Sequence, residues 1–264
     1  MRAPGGYAIW CDRTGRLFWT DGGGMQLWAW TPATGQRQSW RMPEPLCCFA
    51  LTASRERLLL ALASRLVFLD LTTGLPAPIC EVDSSTVPCD GRCDRQGRFV
   101  FGSAGIGKGV RGAFWRLNHD LSLERLPLEE VGVAGSICFS PNGRTLYYAD
   151  AAQEAIRCCD YHPCSGEITR PQLFAGEGAG EGAAVDAEGG LWTARRGAMG
   201  LQRIAADGSS RPSVPLEAAC AGWPVFGGAD FGTLYLPGAD GIAECAPGVH
   251  GLAEQRFLGR LPSR

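Results

Sequence analysis

The chain has 264 residues, with 25 Lys and Arg against 27 Asp and Glu, and a formal net charge of −2. This balance argues against nucleic acid as a partner, because nucleic-acid binding relies on clustered positive charge. No run of about 18 apolar residues could span a bilayer, and the first residues lack the apolar core of a secretory signal. We therefore expect a cytoplasmic protein with no membrane partner.

Six polar turns, each followed by a short apolar run, recur along the chain. They occupy residues 11–21, 52–63, 93–104, 140–150, 186–195 and 227–238, and the clearest copies are CDRTGRLFWTD, CDRQGRFVFGSA, SPNGRTLYYAD and DAEGGLWTAR. A second strand-turn-strand segment follows each copy, at residues 27–40, 66–80, 114–126, 156–168, 201–212 and 242–252. Each pair of segments predicts about four antiparallel strands, which is the pattern of one propeller blade.

The sequence therefore predicts an all-β fold, a six-bladed β-propeller of four-stranded antiparallel blades that forms a single domain over residues 1–264. The innermost strands should begin 41–46 residues apart, near Gly6, Cys47, Cys89, Gly135, Glu181 and Trp223. Too few residues precede Gly6 for an additional strand. We therefore expect residues 255–261 (QRFLGRL) to supply the outer strand of the last blade and so close the ring.

The twelve cysteines are expected to be reduced thiols. A chain of this length can build a core of its own, so it does not need the disulfides of a small secreted domain. Cys47/Cys48 and Cys158/Cys159 are neighbours within strands, where alternation sends adjacent side chains to opposite faces. The sequence contains no C-x-x-C, the spacing typical of a structural zinc site. Most of these cysteines are therefore interpreted as small buried apolar residues.

Several stretches together resemble the SMP-30/gluconolactonase family of regucalcin-like, six-bladed propellers. They include IWCDRTGRLFWTD at 9–21, MPEP at 42–45, CDGRCDRQGRF at 89–99, FSPNGRTLYYAD at 139–150, AAVDAEGGLWTAR at 183–195 and VFGGADFGTLYL at 225–236. The resemblance covers nearly the whole chain. It implies lactone hydrolysis, or organophosphate hydrolysis in relatives, with one divalent metal at one end of the central tunnel polarising the carbonyl.

The residues that the family uses to hold this metal are largely replaced here. By the resemblance, Gly6 stands where the first Glu ligand is expected, Cys89 where an Asn faces the metal or substrate, and Gly135 where an Asn ligand is expected. Glu181 takes the position of the Asp that is both ligand and base. Because Ca²⁺ prefers six to eight oxygen ligands, we expect no cofactor; the alternative is one divalent metal (Zn, Fe, Ca or Mg) in a rebuilt site.

The same positions predict a remodelled pocket for a small molecule. Gly6 and Gly135 lack side chains and should widen it, Ser136 follows Gly135, and Trp223 offers a flat surface for stacking. Cys47 and Cys89 come from adjacent blades and can converge with Glu181 across the ring.

Three interpretations of this pocket stay open. Glu181 is a general acid or base in a metal-poor hydrolase, or merely a carboxylate left in a water-filled tunnel. Cys47, Cys89 and Glu181 form a soft site for Zn²⁺ or Fe²⁺, or the cysteines are only buried residues. Cys89 is a nucleophile, which would require a nearby base; the three histidines are all expected in outer turns. Asp90 should point away from the tunnel and make structural hydrogen bonds.

Two functions follow from these interpretations. The first is a lactonase-like hydrolase, or an enzyme recruited to another biosynthetic reaction on a cyclic small molecule. The second is a non-catalytic propeller that binds an apolar or aromatic ligand. The sequence does not identify the substrate.

Overall fold

Four copies of the repeated turn contain a glycine with a positive φ, namely Gly15, Gly97, Gly143 and Gly189, and each of these turns joins two strands of a hairpin. The computed structural model describes residues 6–21, 23, 25–153, 155–176, 182–194, 200–215, 222–238 and 241–260. In the third turn the Asp94 carboxylate accepts hydrogen bonds from the backbone N–H groups of Gln96 and Arg98, both at 2.9 Å. Gly97 has a φ of 77°, a conformation that side chains disfavour. An acceptor at the first position and a glycine at the fourth thus fix this turn.

The described residues form 23 strands. The first three blades contain β1 (Ala8–Cys11), β2 (Arg16–Thr20), β3 (Gln26–Thr31) and β4 (Gln36–Arg41); β5 (Leu46–Leu51), β6 (Arg57–Leu62), β7 (Arg65–Asp70) and β8 (Pro76–Glu81); β9 (Thr86–Cys93), β10 (Phe99–Gly105), β11 (Phe114–Leu117) and β12 (Leu123–Arg125). The last three contain β13 (Ala134–Phe139), β14 (Thr145–Asp150), β15 (Ala155–Tyr161) and β16 (Ile168–Ala175); β17 (Ala183–Val185), β18 (Leu191–Ala194), β19 (Gly200–Ile204) and β20 (Val214–Pro215); β21 (Val225–Gly227), β22 (Thr233–Gly238) and β23 (Gly241–Cys245).

Each blade is an antiparallel meander whose strands pair in chain order. The first strands of successive blades contact one another around the ring, and β1 contacts β21, so the ring is closed. The predicted six-bladed β-propeller is confirmed: five blades have four strands, and the sixth shows three within the described residues. No helix in the described part of the chain is long and apolar enough to cross a membrane.

The core lies between the blades. Its largest cluster joins the first three blades and includes Leu27, Phe49, Leu59 and Phe99, each less than 1% exposed. Burial of such side chains from both faces of every sheet supplies most of the stabilisation of a ring of this kind.

The C-terminal segment does not form the outer strand of the last blade, and that prediction is wrong. Residues 251–258, here called the strap, cross the end of the channel at which the inner strands end. Gly251 forms a β-bridge with Asp186 of the fifth blade, and Phe257 forms one with Thr52 of the second. Phe257 is fully buried beside Phe68, with the ring centroids 6.0 Å apart. Burial of this one aromatic side chain between other blades explains why the segment leaves the sixth blade.

Candidate functional site

The inner strands of all six blades begin at one end of the central channel, here called the first mouth. They start at Ala8, Leu46, Thr86, Ala134, Ala183 and Val225. The sequence placed these starts within three residues of the observed ones. The predicted pocket residues at these strand starts therefore lie at the first mouth. Glu181 lies outside the described residues.

Tyr7, at the start of the first inner strand, fills the channel beneath this mouth. Its hydroxyl donates to the carbonyl of Gly91 at 2.5 Å and accepts from Nη1 of Arg92 at 2.8 Å. The Tyr7 ring packs edge-on against Phe49, with centroids 5.1 Å apart, and only 1% of Tyr7 is exposed. Burial raises the pKa of its phenol well above the usual value. Tyr7 is therefore a neutral wall of the channel and not a base.

Trp223 lies over this wall and is only partly buried. Its ring centroid is 6.1 Å from that of Tyr7. A Cβ added to Gly182 would fall 2.0 Å from Trp223 Cδ1, so the indole packs directly on Gly182. Nε1 approaches the Asp90 carboxyl and lowers its pKa, but the contact falls short of hydrogen-bonding geometry, and the buried Nε1 has no other partner among the described residues. The predicted aromatic surface is thus beside the residue that follows Glu181.

Cys47 and Cys89 are both half-buried at the first mouth. Their thiols donate to nearby carbonyls, Cys47 to Pro45 at 3.7 Å and Cys89 to Val87 at 3.4 Å. Burial raises the pKa of each thiol to about 12, and Cys47 is close enough to contribute to the rise at Cys89. The structure therefore brings the two thiols together as neutral groups. A neutral thiol is a poor nucleophile, so this environment does not activate Cys89.

The histidines do not supply a base here. His119 contacts the carbonyl of Gln96, His162 contacts Ser165, and His250 contacts the carbonyl of Asp230, all at exposed positions. His119 and His162 lie in the outer turns β11–β12 and β15–β16, as expected, whereas His250 follows β23 and adjoins the strap.

Asp90 contributes more to the structure of the channel than its sequence position suggested. Its carboxylate accepts hydrogen bonds from the backbone N–H groups of Gly91 and Ile137, both at 2.8 Å, which ties the third blade to the fourth. The expected structural role is confirmed. The expected orientation away from the channel is wrong, because the carboxyl interacts with Arg92 and Trp223. Burial raises its pKa to about 6, although Arg92 and the hydrogen bonds oppose the rise.

Gly135 and Ser136 are buried at a bulge in β13, where pairing with β14 breaks between Gly135 and Cys138. Ser136 is fully buried and has a φ of 54°, in the left-handed region. Such a conformation costs a non-glycine residue about 1 kcal/mol or more. The bulge directs the Ile137 N–H towards Asp90, which offers a local reason for this backbone.

The described residues do not fit the divalent metal that the resemblance implies. A Cβ at Gly6 would lie 1.9 Å from Oγ1 of Thr20 and 2.2 Å from its carbonyl oxygen, so a carboxylate side chain has no room there. Cys89 presents a neutral thiol, and Gly135 has no side chain. No group of three or more His, Cys, Asp or Glu in the described ranges could hold a metal ion. A hard cation needs several oxygen donors, and these positions provide none.

The contacts that Arg92 makes across the channel were not found from the sequence. Arg92 spans it, with Nη1 on Tyr7 and Nη2 donating to the carbonyl of Ala183 in the fifth blade at 3.2 Å. Its Nε lies 3.5 Å from a carboxylate oxygen of Glu254 in the strap. The G-R-C run after Asp90 was visible, but its partners are 85 or more residues away and leave no local signal.

Comparison with known proteins matches residues 5–239 to the family described as SMP-30/Gluconolactonase/LRE-like region. A protein named L-arabinolactonase from Azospirillum brasilense is 38% identical, over 96% of this chain and 91% of that protein. Regucalcin from Xenopus laevis is 27% identical, over 89% and 83% of the two chains. A solved structure of a calcium-binding regucalcin from Agrobacterium tumefaciens has a TM-score of 0.89 at 23% identity, covering 99% of this chain and 95% of that one. The last similarity concerns the fold alone.

Proposed function

Because the chain belongs to the SMP-30/gluconolactonase/LRE-like family, we propose that it is a lactonase-like hydrolase that opens a small cyclic ester at the first mouth. The observation that carries this proposal is the similarity to a protein named L-arabinolactonase, at 38% identity over nearly the full length of both chains. The first mouth supports it further, because it combines a partly exposed aromatic surface, Trp223, with two small thiol side chains.

We assign Glu181 as the general base. In lactone hydrolysis a water oxygen attacks the carbonyl carbon, the ring C–O bond breaks, and the proton taken from water ends on the departing ring oxygen. Glu181 is the one acidic residue at the four positions where the family places its ligands. Packing of Trp223 on the adjacent Gly182 provides an apolar neighbour, and apolar surroundings raise a carboxyl pKa towards the range useful for acid–base catalysis. No step of this proposal passes through a metal.

A panel of five- and six-membered sugar lactones tests the proposal. Acid release by the wild-type protein should be insensitive to a chelator, and Glu181→Gln should lower kcat by about 100-fold or more, the usual contribution of a general base. Glu167→Gln, at an exposed turn position, is the matched control and should keep the wild-type rate. Equal activity of Glu181→Gln and wild type would contradict the assignment of the base.

The lack of oxygen ligands at Gly6 and Cys89 favours a second candidate function, a propeller that binds a planar or apolar ligand without converting it. Gly6 and Cys89 offer no charged oxygen, whereas Trp223 remains available for stacking. This function predicts that a compound of the panel raises the melting temperature with no acid release, and that the gain is lost in Trp223→Ala. Turnover that depends on Glu181 would exclude it.

A further inference from the structure

A separate cavity of about 300 Å³ lies at the opposite end of the channel, here called the second mouth. The ends of four inner strands and the strap surround it. The lining residues that matter for its chemistry are Arg92, Arg95, Val185, Phe226, Leu252 and Glu254. None of these was a candidate residue of the first mouth, from which Tyr7 and Arg92 separate the cavity.

Arg92 places a buried positive charge at the inner end of this cavity. Its side chain is 7% exposed. Hydrogen bonds to Tyr7 and Ala183 use two of the five guanidinium N–H groups. Nε faces Glu254 at 3.5 Å, an ion pair that is too long for a strong hydrogen bond. A buried guanidinium is stabilised by further acceptors, so this cation favours an anionic or hydroxyl-rich occupant.

Arg95 supplies a second guanidinium at the opening of the cavity. Arg95 is exposed and donates to the carbonyl of Pro141. Glu254 is the one carboxylate among the described lining residues, so these residues together carry an excess of one positive charge. Arginine is well suited to bind a carboxylate because its N–H groups match the geometry of the two oxygens.

Apolar side chains form the remaining wall. Phe226 is 4% exposed and packs edge-on against Trp192. Leu252, in the strap, is 42% exposed, so a large apolar side chain borders the opening. The ligand that fits this wall has a carbon skeleton as well as polar groups.

We infer that the second-mouth cavity binds a small hydroxycarboxylate. Its carboxylate accepts hydrogen bonds from Arg95 and Arg92, a hydroxyl donates to Glu254, and its carbon chain lies against Phe226 and Leu252. The volume is at the lower end for small-molecule sites, which sets the size to that of a monosaccharide. Opening a lactone yields a hydroxycarboxylate, so under the proposed function the cavity accepts a molecule of the product's class. The binding itself does not depend on that activity.

Isothermal titration calorimetry with potassium D-gluconate, which has one carboxylate and several hydroxyls, tests the inference. Sorbitol lacks the carboxylate and propionate lacks the hydroxyls, so each should bind at least about tenfold more weakly, since each loses one of the charge-assisted contacts. Equal binding of either comparator would overturn the inference, and so would no binding of gluconate. No lactone is present in the titration, so a failure of the lactonase proposal leaves the result unaffected.

Four variants locate the site. Leu252→Trp should fill the opening and abolish binding, whereas Leu173→Trp, at a 61%-exposed position on β16, should bind like wild type. Arg95→Gln should weaken binding about tenfold, and Cys47→Ser, at the first mouth, should not. Retained binding in both Leu252→Trp and Arg95→Gln would overturn the inference, as would a loss confined to Cys47→Ser.

Discussion

Asp90 and Arg92 control the charge balance within the channel. They lie two residues apart on β9, and both are almost completely buried. Arg92 interacts with Tyr7, Glu254 and Asp90, and these interactions together outweigh its burial and raise the pKa of its guanidinium. Arg92 therefore stays charged, while Asp90, with a pKa of about 6, changes charge within an accessible pH range.

This difference predicts a pH-dependent stability. The Asp90 carboxyl binds its proton more tightly in the folded protein, with a pKa of about 6 against 3.8 unfolded. Its stabilising contribution is therefore complete below about pH 4 and is lost as the pH rises to about 6, a change on the order of 3 kcal/mol. Asp90→Asn removes this titration. Urea denaturation from pH 4 to 7 should show wild type losing stability relative to Asp90→Asn, and a difference that does not change with pH would contradict the assignment.

The sequence could predict where several site residues lie, but not which contacts others make. The positions of Cys47, Cys89 and Trp223 at the first mouth follow from the repeat, because the start of each inner strand can be counted. The partners of Tyr7 and Arg92 could not be predicted, since those contacts cross the ring between blades far apart in sequence. Lack of room at Gly6 depends on the side chain and the backbone carbonyl of Thr20, whose approach pattern analysis cannot place.

Among the elements, the strap has the largest effect on how the ring is held together. Phe257 N–H donates to the carbonyl of Leu51, Leu258 N–H donates to the carbonyl of Gly97, and Arg256 pairs with Asp12. Three blades are thereby tied to one short segment. The sequence QRFLGRL fits an edge strand equally well, because a segment this short has too few alternating positions to distinguish the two.

Phe257 should therefore be the main anchor of the strap. Phe257→Ala should lower the free energy of unfolding by about 3–5 kcal/mol, as expected for a fully buried aromatic side chain. Leu258→Ala, at a neighbouring position that is 49% exposed, is the control and should cost no more than about 1 kcal/mol. Chemical denaturation measures both. Similar losses in the two variants would show that Phe257 does not anchor the strap.

For the whole molecule, ring closure and the chemistry of the channel impose separate requirements. The turns and apolar strands of six blades were visible in the sequence because they repeat, and they specify the propeller whatever occupies its mouths. The positions at which the resemblance places metal ligands contribute little to that pattern. Gly6, Cys89 and Gly135 can therefore stand at these positions while the fold stays similar to that of a solved relative, with a TM-score of 0.89.

The central proposal is that this member of the family works without the divalent metal that the resemblance implies. Metal content tests it most directly: the purified protein is dialysed separately against Ca²⁺, Mg²⁺, Mn²⁺ and Zn²⁺, desalted, and measured by inductively coupled plasma mass spectrometry. We predict that none of the four ions is retained at one per chain. One tightly bound ion per chain that is lost in Glu181→Gln would contradict the claim.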